Sequence, residues 1–454
     1  TSGSTGMPKG VVVTQGNLIH YVEGVLRALQ LPEDASLSAL ATVAADLGYT
    51  AWFGALLSGR TLRLIDETLA ADPEALAAGL AQQPLDCLKI VPSHLKALLA
   101  VAEPARLLPR HSLVLGGEGL DLALVRRIRE LAPDCRIVNH YGPTETTVGC
   151  LTHAVCDIEP SLSGFAPVGS PLGDVSVQVL DGYLNPLPRG CAGELYVGGA
   201  GVANGYLGQP RLSAERFIPD PFAADGSRLY RTGDRVRMLS NGLLEFLGRI
   251  DNQVKIRGFR VELGEVEACL KACPELRDAV VLAQPASSGD GLRLVAYLVA
   301  AQPIHLDELR QRLAKQLPDY MLPAVFVELA ELPRLANGKV DRQRLPLPEQ
   351  TSGTASDDGA PRDAVEATLA ELWSALLERE SVSIHDDFFA LGGDSILALQ
   401  LIAKARQVGL KFSPKQLFAQ PTIASLAATL DSPARQLEAQ LLPLWRDLLG
   451  QPEL

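Results

Sequence analysis

The stretch SLVLGGEGLDLALVRRIRELAPDCRIVNHYG, residues 112–142, holds the fold in miniature. Its first six residues are a β-rich run ending in two glycines, 121–131 is helix-like, and 136–142 is a second β-rich run. Strand, helix, strand is the unit of an α/β domain, and the texture continues outward through LRLI (62–65), CLKIV (87–91) and ELYVGG (194–199). These runs end in small or polar residues, and open α/β sheets gather ligands at the carboxyl ends of their strands, so chemistry is expected there. Upstream, TSGSTGMPKG (1–10) packs glycines, hydroxyls and Lys9 directly before Val11–Val13, which reads as a strand. Glycines let the backbone approach a ligand, hydroxyls and N–H groups satisfy anionic oxygens, and the lysine adds mobile positive charge, a combination suited to a polyphosphate. It is not the Walker pattern, because Gly10 and not Ser or Thr follows Lys9.

Length and charge exclude several classes. A chain of 454 residues has room for about three domains, and a net charge of −12 argues against a nucleic-acid partner held through its phosphates. Seven scattered cysteines with no CxxC pair indicate neither a disulfide framework nor a structural zinc site and read as buried small hydrophobes. No apolar run reaches the roughly 18 residues of a membrane span and no signal segment heads the chain, so a cytoplasmic protein with no membrane partner is expected. Because Thr1 already lies inside the phosphate loop, the sequence reads as a fragment of a longer polypeptide.

The expected organisation is an α/β core over 1–250 and a small α+β domain over 251–345, with a Pro/Ser/Thr/Gly/Asp-rich linker at 346–362. A bundle of four helices over 363–432 and a tail over 433–454 follow. LEAQLLPLWRDLLG (437–450) matches VEATLAELWSALLE (365–378) at several places, including Trp445 and Trp373. The tail is read either as the first helix of a second, truncated bundle in tandem or as an amphipathic linker helix.

NHYGPTETT (139–147), YRTGD (230–234), GRIDNQVKIRGFRVELGEVE (248–267) and LANGKVDR (335–342) follow the opening loop in order. With these motifs, nearly all of residues 1–345 resembles the adenylate-forming enzymes, specifically adenylation domains of nonribosomal peptide synthetases, here lacking the N-terminal part. DDFFALGGDSI (386–396) resembles the phosphopantetheine attachment site of peptidyl carrier proteins, with Ser395 as the attachment point. The resemblance implies ATP, Mg²⁺ and 4′-phosphopantetheine as cofactors. It assigns the ATP phosphates to Thr1, Ser2, Gly3, Ser4, Thr5, Gly6 and Lys9. The rest of the nucleotide falls to Asn139, Tyr141, Gly142, Thr144, Asp234 and Arg249, with Mg²⁺ on Glu145. By residue chemistry, Asn139 can bond an adenine amino group, the Tyr141 ring offers a stacking face, and Asp234 can accept from ribose hydroxyls. Lys339 is similar to the family lysine that bridges carboxylate and α-phosphate, and Asp251 corresponds to the hinge that swaps it out for thiolation.

Carried over residue by residue, the family's amino-acid pocket falls on Asp46, Leu47, Thr50, Lys89, Val114, Gly116, His140, Val148 and Gly149, closed by Lys339. Asp46 is expected to face the substrate ammonium, and Lys89 and His140 are two further cations. Buried charges need partners, so a short anionic side chain is expected, aspartate before asparagine. The resemblance also implies a phosphopantetheinyl transferase and neighbouring synthetase domains as partners, and RLSAERFIPDPF (211–222) is similar to the docking surface for MbtH-like proteins. A stand-alone acyl- or aryl-CoA ligase would share the ATP motifs but lack Asp46 and the carrier. A non-catalytic scaffold would keep the motifs without turnover.

Overall fold

A computed structural model describes residues 9–41, 45–70, 72–101, 103–156, 164–251, 253–256, 258–285, 292–335, 339–347, 359–377, 379, 381–389, 391–393 and 395–430. The phosphate loop at 1–8 and the tail from 431 onward, with its tandem-repeat expectation, lie outside these residues.

The first sheet has six strands in the order β1 (Leu37–Ala39), β2 (Cys87–Ile90), β3 (Ser112–Gly116), β4 (Arg136–Tyr141), β5 (Leu151–Ala154) and β6 (Ser170–Pro171). β1 to β4 pair in parallel, with Lys89 opposite Val114, Val114 opposite Val138, and Gly116 opposite His140. Alternation then sorts the side chains by face. Leu88, Ile90, Leu113, Leu115 and Ile137 enter a core formed with the helices Pro73–Gln82, Pro92–Leu98 and Leu122–Leu131. Cys87, Val114 and Val138 enter a second core against the helices Gln15–Leu29 and Tyr49–Ser58. Lys89 and His140 share this second face by register, so a sheet covered on both sides carries two ionisable groups inward.

A second sheet runs β11 (Leu244–Arg249), β10 (Arg228–Met238), β8 (Ala192–Gly198), β7 (Ser176–Leu180), with β9 (Phe217–Pro219) also paired to β10. The antiparallel hairpin of β12 (Gln253–Ile256) and β13 (Phe259–Glu262) follows. After it, β14 (Leu276–Pro285), β15 (Leu292–Ala300) and β16 (Val325–Leu329) form a three-stranded sheet packed with the helices Leu263–Lys271 and Leu306–Ala314.

The chain divides into two compact units, residues 1–286 with 290–345, and 346–454 with 287–289. The second contains the helices Ala364–Leu377, Ser395–Gln407, Pro414–Ala419 and Ile423–Thr429 around Trp373, Phe388, Leu401 and Leu417. The Trp373 and Phe388 rings meet edge-on with centroids 4.9 Å apart. Gly393, two residues before Ser395, is held against this pair, since a Cβ there would lie 2.4 Å from the Phe388 ring.

Three expectations are corrected. Val11–Val13 is not a strand; Val11 makes one isolated bridge to Tyr206. LRLI at 62–65 contributes only a bridge from Leu62 to Leu37, because Leu64 is 71% exposed at the sheet edge and has no face to bury. Cys156 and Cys191 are exposed, whereas Cys87, Cys135, Cys150 and Cys273 are the buried small hydrophobes expected.

Trp373 is fully buried and makes a large share of the second unit's core. Trp373→Ala is expected to destabilise that unit by about 3–5 kcal/mol, the usual cost of emptying such a site. Hydrogen exchange should then accelerate in the helix Ala364–Leu377 and stay unchanged in β2–β4; equal protection of that helix in both proteins would show that Trp373 is not the keystone.

Candidate active site

The carboxyl ends of β2, β3 and β4 open toward the turn that carries Asp46, a short 3₁₀ helix (Asp46–Gly48) ahead of the helix Tyr49–Ser58. Lys89 is 1% exposed, and its Nζ has no hydrogen-bond partner among the described residues; the same is true of Oδ2 of Asp46. Burial drives both toward their neutral forms. It lowers Lys89 to about 7, with the charge of Asp46 working the other way, and it raises Asp46 against a Thr144 hydrogen bond. Two opposite ionisable groups, each with an unsatisfied polar atom, therefore lie close enough to act on each other's charge.

The expected pocket's floor is made by absent side chains. A Cβ on Gly116 would sit 2.5 Å from the His140 carbonyl oxygen and 3.0 Å from Lys89 Nζ, and one on Gly149 would strike the His140 ring at 2.0 Å. The turn leading to Gly149 is strained, with Thr147 at φ 60° and Val148 at φ 65°, a region β-branched residues avoid. Of the other residues expected to line the pocket, Thr50, Val114 and Val148 are buried and Leu47 is half-buried.

His140 differs from expectation. Its Nε2 lies 3.1 Å from the hydroxyl of Tyr21, which in turn lies 2.6 Å from Thr50 Oγ1. Burial, reinforced by Lys89 and Lys255, holds the imidazole well below its ordinary value, so the ring is neutral near pH 7 and not the second cation counted from the sequence. Tyr21, on the helix Gln15–Leu29, was not marked by any motif.

The described residues expected to hold the nucleotide have partners of their own. Asp234 is 3% exposed; it accepts from Arg249 Nη1 at 2.7 Å and from the Tyr141 hydroxyl. Lys255 Nζ lies 5.5 Å from the centroid of the Tyr141 ring, covering the face expected to stack. Asn139 donates to the carbonyls of Ala166 (3.2 Å) and Pro167 (2.8 Å), so its amide hydrogens hold the backbone. Gly142 packs against Gly149, and Thr144 opens the short 3₁₀ turn Thr144–Thr146 next to Glu145. Asp251 is gripped by Arg249 at 2.7 and 2.6 Å, and this charge outweighs burial to lower its carboxyl.

Glu145 is fully buried. Burial would raise it, but Arg260 and the Tyr206 hydroxyl hold it down to about 2. No cluster of three or more His, Cys, Asp or Glu suited to a metal occurs among the described residues. A lone acidic carboxylate nonetheless fits Mg²⁺, which commonly binds one or two carboxylates plus substrate phosphates. Lys339 is exposed beside the Arg334–Val340 bridge, and the cations acting on His140 are Lys89 and Lys255. The expectation that Lys339 closes the pocket is therefore not met in this arrangement.

Residues 1–207 match the family of AMP-binding enzymes, 265–339 the AMP-binding enzyme C-terminal domain, and 367–430 the phosphopantetheine attachment site. Fold and site thus define an adenylate-forming enzyme with an attached carrier. The chain is 42% identical over 432 residues to a dimodular nonribosomal peptide synthase of Bacillus subtilis, covering 95% of this chain and 18% of that protein. It is 39% identical over 444 residues to malpinin synthetase of Mortierella alpina, covering 95% of this chain and 6% of that one. A solved NRPS protein containing adenylation and PCP domains, bound to a vinylsulfonamide inhibitor, superposes with a TM-score of 0.76 at 28% identity, covering 94% of this chain and 70% of that one. The chain belongs to the nonribosomal peptide synthetase family, as an adenylation domain fused to a peptidyl carrier domain. It spans less than a fifth of the length of these two curated relatives.

Lys89 titrates in the folded protein at about 7 against an ordinary 10.5, so between those values the unfolded chain binds more protons and stability rises with pH. Lys89→Met, which removes the buried charge, is therefore expected to raise the substrate-free melting temperature more at about pH 6 than at about pH 9. A gain independent of pH would show that the ammonium is not desolvated.

Proposed function

We propose that the domain activates L-aspartate as aminoacyl-AMP and loads it on its own carrier. The observation that carries this reading is the pair of buried, unsatisfied atoms Asp46 Oδ2 and Lys89 Nζ. An uncompensated buried charge costs on the order of 3–5 kcal/mol, and an amino acid with an anionic side chain supplies an ammonium for one and a carboxylate for the other. Asparagine would leave Lys89 without a counter-charge, and a neutral acyl substrate would leave both.

In this reading Asp46 orients the α-ammonium, Lys89 binds the side-chain carboxylate, and the His140 ring, set by Tyr21, shapes the end of the pocket. Residues 1–6 and Lys9 take the phosphates, Asp234 the ribose, and Glu145 holds Mg²⁺, which neutralises phosphate charge when bound. Lys339 reaches the reacting carboxylate and α-phosphate after the small subdomain turns about Asp251. Phosphopantetheine on Ser395, at the start of the helix Ser395–Gln407, supplies the thiol that accepts the aminoacyl group. A phosphopantetheinyl transferase, neighbouring synthetase domains and an MbtH-like protein on 211–222 are the proposed partners, in the cytoplasm. No helix among the described residues is long and apolar enough to cross a membrane.

ATP–pyrophosphate exchange across a panel of amino acids is expected to favour aspartate over asparagine by roughly 100-fold, equivalent to about 2.7 kcal/mol. His140→Glu should move that preference toward asparagine, since a carboxylate repels a second carboxylate but accepts from an amide; an unchanged ratio would remove His140 from the side-chain end. Ser395→Ala should keep exchange and lose covalent loading, and mass spectrometry showing a loaded variant would refute the attachment site.

A further inference from the structure

We propose that Tyr21 is a positioning residue for amino-acid selection: its hydroxyl, which accepts from Thr50, fixes the neutral His140 ring with its proton on Nδ1, so that the ring offers the substrate side chain a donor. The inference rests on the aspartate reading of the pocket given above.

The three side chains come from separate elements, Tyr21 from the helix Gln15–Leu29, Thr50 from the helix Tyr49–Ser58 and His140 from β4, and all are buried, at 2%, 1% and 3% exposure. Tyr21 also meets the His140 ring edge-on, with centroids 5.8 Å apart. Away from water, each hydroxyl hydrogen must find its acceptor within this group. The hydrogen of Thr50 has two candidates, the Tyr21 hydroxyl oxygen at 2.6 Å and the Leu47 carbonyl oxygen at 3.4 Å. Only the first lies in the range of an O–H···O hydrogen bond, roughly 2.5–3.0 Å, so Thr50 donates to Tyr21. Tyr21 has one hydrogen of its own, and burial, which pushes the phenol above its ordinary value, keeps it in place. With Thr50 donating, the acceptor left for that hydrogen is Nε2 of His140 at 3.1 Å. When one nitrogen of a neutral imidazole accepts, the other carries the proton, which places the N–H of His140 at Nδ1. The opposite order of donors would leave the Thr50 hydrogen with nothing but the 3.4 Å contact.

Nδ1 has no hydrogen-bond partner among the described residues, and Lys89 is near enough for its charge to act on the ring. A carboxylate has one oxygen for the Lys89 ammonium and one for the Nδ1–H. Charge balances as well, because the substrate ammonium offsets Asp46 and the carboxylate offsets Lys89, whereas a protonated His140 would leave one cation over. An amide satisfies one of the two donors with its oxygen but turns its own N–H groups toward the other. Selection against the amide therefore depends on which ring nitrogen holds the proton, and Tyr21 decides that.

The test labels the full chain with 15N-histidine and assigns His140 by the signals lost in His140→Gln. In the ligand-free wild type near neutral pH, Nδ1 is expected at the chemical shift of a protonated nitrogen and Nε2 at that of an unprotonated one. Tyr21→Phe, which keeps the ring and removes the hydroxyl, should move proton population to Nε2. The same variant should lower the aspartate-to-asparagine ratio in ATP–pyrophosphate exchange about tenfold, through a raised KM for aspartate with kcat within about threefold, a split that general damage to the fold would not produce. A wild-type ring protonated at Nε2, or an unchanged ratio in Tyr21→Phe, overturns the inference. A wild type with no preference for aspartate overturns the proposed function instead, and the ligand-free spectra still decide which nitrogen holds the proton.

Discussion

The desolvated ammonium of Lys89 governs the architecture around it. It projects from the second of four parallel strands into a face otherwise filled by Cys87, Val114 and Val138, where a charge has no solvent to fall back on. Room for it and for a ligand comes from Gly116 and Gly149, both of which would collide with neighbours if they carried a Cβ. The left-handed Thr147 and Val148 are the backbone consequence, since the chain must turn sharply after Glu145 to bring Gly149 beneath the imidazole. Such strain persists only where the surroundings over-determine it; here the Thr147 hydroxyl donates to the Gly201 carbonyl at 2.8 Å and pins the turn.

Charges around the nucleotide side obey the same economy with a different solution. Asp234, Glu145, Lys9 and Asp251 are each matched by a charged partner, the arginines Arg249 and Arg260 or the carboxylate Glu262. Asp46 and Lys89 keep unsatisfied polar atoms, whereas Glu145 and Lys9 are paired. That contrast fits a rigid pocket that waits for its ligand beside a site whose occupants exchange during the cycle.

Much of this was legible in the sequence where the signal is local. The runs at 87–91, 112–117 and 136–142 are buried on both faces, so their continuous apolar character marks β2, β3 and β4. β1, only three residues long, left no such pattern, and the apolar LRLI beside it misled because composition cannot distinguish an edge from a centre. Tyr21 was missed because its link to His140 spans 119 residues, and Arg260 because its contact with Glu145 spans 115. Lys339 was marked by motif, but its exposure beside the Arg334–Val340 bridge is set by tertiary structure, which a motif does not carry. His140 was misread as a cation because burial, invisible in the sequence, decides its charge.

The central claim is that the pocket is built for a second negative charge on the amino acid. Calorimetric titration with non-hydrolysable aspartyl and asparaginyl sulfamoyl-adenosine, at about pH 8 in buffers of differing ionisation enthalpy, measures it most directly. The account predicts roughly 100-fold tighter binding of the aspartyl compound, accompanied by proton uptake as Lys89 becomes charged against the new carboxylate. Equal affinities with no proton linkage would contradict it.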